Sequence, residues 1–187
     1  ALAGVPLAQL PSAERAALER GFVEVEQSFQ VSASRAETHV EQSAFELARG
    51  QLSKAQASLT IARRLDPCLA EAHLNLADLE RQRGQEAAAE RAIRAAIACS
   101  PNNAAAHHAL GLWQVRAHQT AAALGSLKRA VELAPNDTRF SYVLAVALAE
   151  AGQRASATQV LEATLKHRPN DAASRQLLAG LTSPARP

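Results

Sequence analysis

The sequence contains no methionine, and only 3% of its 187 residues are aromatic: one Trp, one Tyr and four Phe. Hydrophobic residues still make up 48% of the chain, enough to bury a core and exclude a disordered chain. That core has to be built from Ala, Leu, Val and Ile. Small aliphatic side chains suit close helix–helix contact more than a β-sandwich interior, which draws on β-branched and aromatic residues. No apolar run approaches the roughly 20 residues of a membrane-spanning helix. Excess charge is missing as well. A net charge of +2 with 20% charged residues argues against nucleic acid or an acidic membrane surface as partner.

Cysteine is scarce. Cys68 and Cys99 stand 31 residues apart, with no CxxC and no CxxCH. A metal or haem site needs several donors converging within about 2.0–2.3 Å of one ion, which no local spacing offers. The pair is expected as structural or free thiols, with a disulfide the lesser alternative and a ligand role the least. A chain that opens "ALAGVPLAQL" without an initiator methionine is expected to be a cleaved mature protein or an excised piece of a longer one.

What is present is a period. Proline returns at Pro67, Pro101, Pro135 and Pro169, each 34 residues after the last, in "DPCL", "SPNN", "APND" and "RPND". Blocks 36–69, 70–103, 104–137 and 138–171 then align column by column. Ala55, Ala89, Ala123 and Ala157 share one column. Leu59, Ile93, Leu127 and Leu161 follow four residues on, then Ala62, Ala96, Ala130 and Thr164 after three more. Steps of four and three place all three columns on one helix face. Earlier in the blocks, Leu76, Leu110 and Leu144 align (Gln42 departs), each followed by a small residue: Ser43, Ala77, Gly111 or Ala145. Gly50, Gly84 and Gly152 fit the left-handed position just past a first helix, and His118 fills that place once. Proline ends the second helix, and Asn103, Asp137 and Asp171 stand where a side-chain oxygen caps the next.

Over residues 36–171 this pattern resembles the tetratricopeptide repeat. Its usual Trp place holds His39, His73, His107 and Ser141, and its usual Tyr place Glu46, Glu80, Gln114 and Leu148. The resemblance implies an all-α, right-handed superhelical solenoid of antiparallel helix hairpins, with four full repeats in the blocks above. An irregular segment, 1–11, and an N-terminal half-repeat, 12–35, precede them; a capping helix, 172–181, and a flexible tail, 182–187, follow. In the capping helix Leu177, Leu178 and Leu181 are expected inward, and Ser174, Arg175 and Gln176 outward.

No nucleophile–base pair, phosphate loop or zinc motif is found, so no catalytic, cofactor-binding or metal residue is assigned. The recurring histidines are expected as packed, hydrogen-bonded rings, since stacked helices near 10 Å apart cannot bring them to one ion. The resemblance implies instead a non-catalytic scaffold that binds a protein or peptide segment in a groove lined by the first helices. It assigns that lining to Leu74, Asn75, Asp78, His108, Leu112, Val115, Tyr142, Val143 and Val146. A carboxylate clamp of the chaperone-binding kind is not expected, because Val40, Ala44, Ala105 and Ala109 stand where it needs polar or basic groups. The opening "ALAGVPLAQLPSAERAAL" running into repeats also resembles the junction in some bacterial multihaem c-type cytochrome proteins. That likeness implies an alternative: a docking domain of a larger, periplasmic redox protein whose cofactor motifs lie elsewhere.

Overall fold

The computed structural model describes residues 13, 15–21, 23 and 35–183. From residue 36 onward the described residues form a run of nine helices: α1 (Ala36–Ala48), α2 (Leu52–Leu65), α3 (Ala70–Gln82), α4 (Glu86–Cys99), α5 (Ala104–Arg116), α6 (Thr120–Leu133), α7 (Thr138–Glu150), α8 (Arg154–His167) and α9 (Ala172–Thr182). Residues 15–21 are helical too, and the described residues include no strand. The segment 1–11, most of 12–35 and the end of the tail lie outside the described residues. The chain divides into two compact units, Ala1–Pro101 and Asn102–Pro187.

Each hairpin turns by the same device. Gly50, Gly84 and Gly152 have φ of 69°, 73° and 77°, and His118 has φ of 57°. The Gly50 N–H donates to the Leu47 carbonyl and the Gln51 N–H to Glu46, at 3.0 and 2.8 Å. The same pair of bonds recurs from Gly84 and Gln85, from His118 and Gln119, and from Gly152 and Gln153. This is the Schellman arrangement, which satisfies the last carbonyls of the first helix while reversing the chain. The glutamine carbonyl then accepts from Ala55, Ala89, Ala123 or Ala157, starting the second helix one residue later. At the other end, Asn103 accepts from the Ala106 N–H, Asp137 from Arg139 and Asp171 from Ser174, each at 3.0 Å. α3 differs: Leu69 stands in the capping place and supplies no side-chain bond.

The aligned columns are the core. In the first unit Leu47, Ala55, Leu59, Ala62, Ala72 and Leu79 form one cluster, with Val40, Leu52, Leu69 and Leu76 against it. In the second, Leu124, Leu127, Leu144, Ala145, Ala147, Leu148, Ala157 and Leu161 do the same. Leu177, Leu178 and Leu181 of α9 pack on that second cluster, while Arg175 and Gln176 are exposed.

Two of the places where the resemblance expects a bulky aromatic carry polar bridges. Buried Glu46 accepts from Ser58 at 2.8 Å and from Gln42 at 3.1 Å, and buried Gln114 accepts from Ser126 at 2.7 Å. Both bridges join a first helix to its own second helix. His73 is buried, with Nε2 2.8 Å from the Pro67 carbonyl.

Two expectations need correction. Cys68 and Cys99 are not free thiols but a disulfide, with Cα atoms 5.1 Å apart. The α3–α4 hairpin brings its two ends side by side, and these cysteines flank it. Ser174 is fully buried, not outward. It continues a column of Thr38, Ala72, Ala106 and Phe140 that is buried throughout, so the register of the preceding helices overrides the periodicity of α9 taken alone.

Two glycines test this packing. A methyl group at Gly111 falls 2.6 Å from Leu127 Cγ, 2.7 Å from Cδ2 and 3.3 Å from the Leu127 backbone nitrogen. Leu127 is fully buried and cannot withdraw. At Gly125, also within a helix, nothing lies within 4 Å of the added carbon. Gly111→Ala is expected to destabilise by about 1–3 kcal/mol through overpacking. Gly125→Ala is expected to stabilise by roughly 0.5–1 kcal/mol through helix propensity. Urea unfolding of the two variants checks the pair, and similar responses would contradict the α5–α6 packing.

Candidate functional site

The residues assigned to partner binding fall on α3 in the first unit and on α5 and α7 in the second. On α3, Leu74, Asn75 and Asp78 are half-buried. Asn75 Nδ2 donates to the Val40 carbonyl at 3.1 Å and to Ser43 Oγ at 3.0 Å, so its amide nitrogen already ties α3 to α1. The Asp78 carboxylate accepts from Arg81 at 2.6 Å and from Gln82 at 2.9 Å, both on its own helix. Such exposed pairs within a helix add little stability and exchange readily with solvent.

The second unit is more apolar. His108 and Leu112 are half-buried on α5, with Val115 exposed beyond them. On α7, Tyr142 and Val146 are half-buried, while Val143 turns partly inward against the core cluster. The two helices meet through an aromatic contact: the His108 and Phe140 ring centroids lie 4.7 Å apart, with planes inclined by 33°. The Arg139 guanidinium sits 5.8 Å from the Phe140 centroid and bonds the Asp137 carboxylate at 2.6 Å. Phe140 is absent from the sequence assignment. Its signal was a lone aromatic in a column otherwise occupied by Thr38, Ala72, Ala106 and Ser174.

A cleft of about 730 Å³ opens at the start of α7, between the loops around Asn136–Arg139 and His167–Asp171. Its two carboxylates already serve as helix caps. Asp171 is held below its ordinary range chiefly by side-chain and backbone bonds from Ser174; burial opposes this, and Thr138 and nearby Arg175 add lesser lowering effects. Among the described residues, no three His, Cys, Asp or Glu side chains gather as a metal site, and no helix is long and apolar enough to cross a membrane.

Charge at the aromatic contact is pH-sensitive. Burial pushes His108 below its ordinary value of 6.5; Asp137 opposes this, and Arg139 adds to it. Folding therefore favours the neutral ring. The stabilisation is complete above about pH 6.5 and is lost as pH falls through the lower folded-state value, where the folded protein must take up the proton as well. The wild-type melting temperature should fall between pH 7 and pH 5 more steeply than that of His108→Phe, which keeps a ring against Phe140. Parallel pH profiles for the two proteins would remove His108 from this role.

Comparison with known proteins adds the family. No curated protein sequence matches. Tetratricopeptide-repeat family models match residues 46–104 and 114–181, together most of the chain. Among solved structures, the thermophilic tetratricopeptide-repeat protein TTC0263 of Thermus thermophilus superposes with a TM-score of 0.76 at 19% identity, covering 94% of each chain. Pseudomonas aeruginosa pilF gives 0.70 at 23% identity, over 78% of this chain and 67% of its own. YrrB, a tetratricopeptide-repeat protein with an unusual peptide-binding site, gives 0.62 at 22% identity, over 84% and 81%. Likeness at these identities carries the fold alone. With its repeated hairpins, positive-φ turns and matching family models, the chain belongs to the tetratricopeptide-repeat family, an all-α helical-repeat solenoid of the protein-interaction scaffold type.

Proposed function

We propose that this chain is a non-catalytic scaffold that docks a peptide or helix of another protein on the first helices of its second unit. One observation carries the reading. In a chain with a single Tyr and four Phe, Tyr142 and the Phe140–His108 stack are concentrated on α5 and α7, beside half-buried Leu112 and Val146 and exposed Val115. A large rigid ring with one polar tip is a frequent interface anchor, and aliphatic neighbours keep water from it. Val143, partly turned to the core, would supply the floor. In the first unit, Leu74, Asn75 and Asp78 would offer a more polar surface of the same helix class. The peptide-binding site of YrrB supports a peptide as the type of ligand.

The Cys68–Cys99 disulfide supports a compartment in which disulfides persist, the periplasm among them. The alternative of a docking domain in a larger cytochrome or redox protein gains no support from the described residues.

Peptides selected from a random library against the intact chain supply the test. Tyr142→Ala or Leu112→Asp should weaken the selected peptides by roughly 1–3 kcal/mol, the range of a modest hot spot. Circular dichroism should show helicity unchanged. Binding indifferent to both substitutions but abolished by charge reversal at exposed Arg94 or Lys128 would move the site to the second helices.

A further inference from the structure

We propose that the Cys68–Cys99 disulfide is a site of thiol–disulfide exchange that locks and releases the α3–α4 hairpin, with a dithiol as its reaction partner. The inference stands apart from the docking surface proposed above.

The bond stands beside a helix start that no side chain caps. α5, α7 and α9 are each preceded by an Asn or Asp whose side chain accepts a backbone N–H, but α3 is preceded by Leu69, which cannot. Cys68, the residue before it, is joined to Cys99, the last residue of α4. The hairpin is thereby closed at its open end. Little else there is bulky: α4 buries only Ala89, Ala92, Ile93 and Ala96, and the first unit's apolar cluster draws its residues from α1, α2 and α3. A covalent closure across a separation of 31 residues restricts the opened chain strongly.

The bond is also reachable. Cys68 is exposed and Cys99 half-buried. The Pro67 carbonyl sits between them and His73: it lies 2.8 Å from His73 Nε2 and 3.9 Å from Cys99 Sγ. The histidine contact tethers the Cys68 loop without any help from the disulfide. Cys68 therefore keeps its place at the start of α3 after reduction and meets Cys99 whenever the hairpin closes.

The exchange balances as follows. A thiolate of the dithiol attacks Sγ of the exposed residue Cys68, the bond to Cys99 breaks, and Cys99 leaves as a thiolate that takes a proton from water. The dithiol's second thiol, losing its proton, attacks the mixed disulfide and frees Cys68, whose sulfur is protonated in turn. The dithiol ends as a disulfide; two electrons and two protons have passed to the protein.

Dithiothreitol applied to the intact chain in native buffer provides the experiment, read by alkylation mass spectrometry and amide hydrogen exchange. Both cysteines should become alkylated without denaturant. Exchange across residues 70–99 should then accelerate at least about tenfold, with no comparable change in α8. The double variant Cys68→Ser/Cys99→Ser should exchange like the reduced chain whether or not dithiothreitol is present. If that variant fails to fold, the reduced wild-type chain still carries the measurement. Labelling that requires denaturant, or equal protection of 70–99 in oxidised and reduced chains, would overturn the proposal.

Discussion

The structure depends on how closely two helix backbones approach within each hairpin. Ala55, Ala89, Ala123 and Ala157 are at most 1% exposed, and each is followed on the same face by a buried Leu or Ile and then by Ala or Thr. The facing first helix answers with Ser43, Ala77, Gly111 or Ala145, all buried. At Gly111 the fit is so close that one methyl group would meet Leu127. Small side chains on both sides permit this approach, and the large residue at the next turn fills what remains. The same choice keeps the apolar area per hairpin low. At roughly 25 cal/mol per Å² of buried apolar surface, an alanine-built interface contributes less than one built on aromatics.

Compensation takes three forms across the four hairpins. The first and third use hydrogen bonds between helices, Glu46 with Ser58 and Gln114 with Ser126. A buried polar group without a partner costs about 1–3 kcal/mol, so each bridge holds only if both ends are present. The fourth hairpin drops the polar pair and places Leu148 and Val160 at the same positions, adding their area to the second unit's cluster. The second has Glu80 opposite Ala92, with the carboxylate 3.6 Å from Arg83, and closes its ends covalently through Cys68 and Cys99. Nearest-neighbour repeats tolerate such variety because each hairpin needs only to satisfy itself and its immediate contacts.

How much of this the sequence reveals follows from the range of each interaction. Turns at Gly50, Gly84, His118 and Gly152 were legible because a left-handed backbone is a local requirement. The caps at Asn103, Asp137 and Asp171 were legible for the same reason: donor and acceptor lie within three residues. The core columns were legible because the period repeats them four times. Contacts that join one helix to another were not. The Glu46–Ser58 and Gln114–Ser126 bridges recur at a constant separation of 12, but only the hairpin geometry makes that separation a contact. The disulfide hides in the same way, since 31 residues is the distance around one hairpin. Asn75 reads as a groove-lining residue only through the family resemblance, whereas in the structure its side-chain nitrogen binds α1.

The candidate binding face shows why the family's fold leaves specificity free to vary. The column of Thr38, Ala72, Ala106, Phe140 and Ser174 is buried in every helix that carries it, so its occupants answer first to packing. Four are small. Phe140 is not, and the volume it brings goes against His108 on α5 rather than into the alanine seam between paired helices. The seam of that hairpin stays intact, with Ala145, Ala157 and Leu161 fully buried. One enlarged residue thus changes the chemistry of the first-helix face, adding an aromatic contact and a histidine biased toward its neutral form, without altering the column that sets the hairpin. A repeat protein can in this way alter what it binds at one position while the packing that fixes its fold is kept at another.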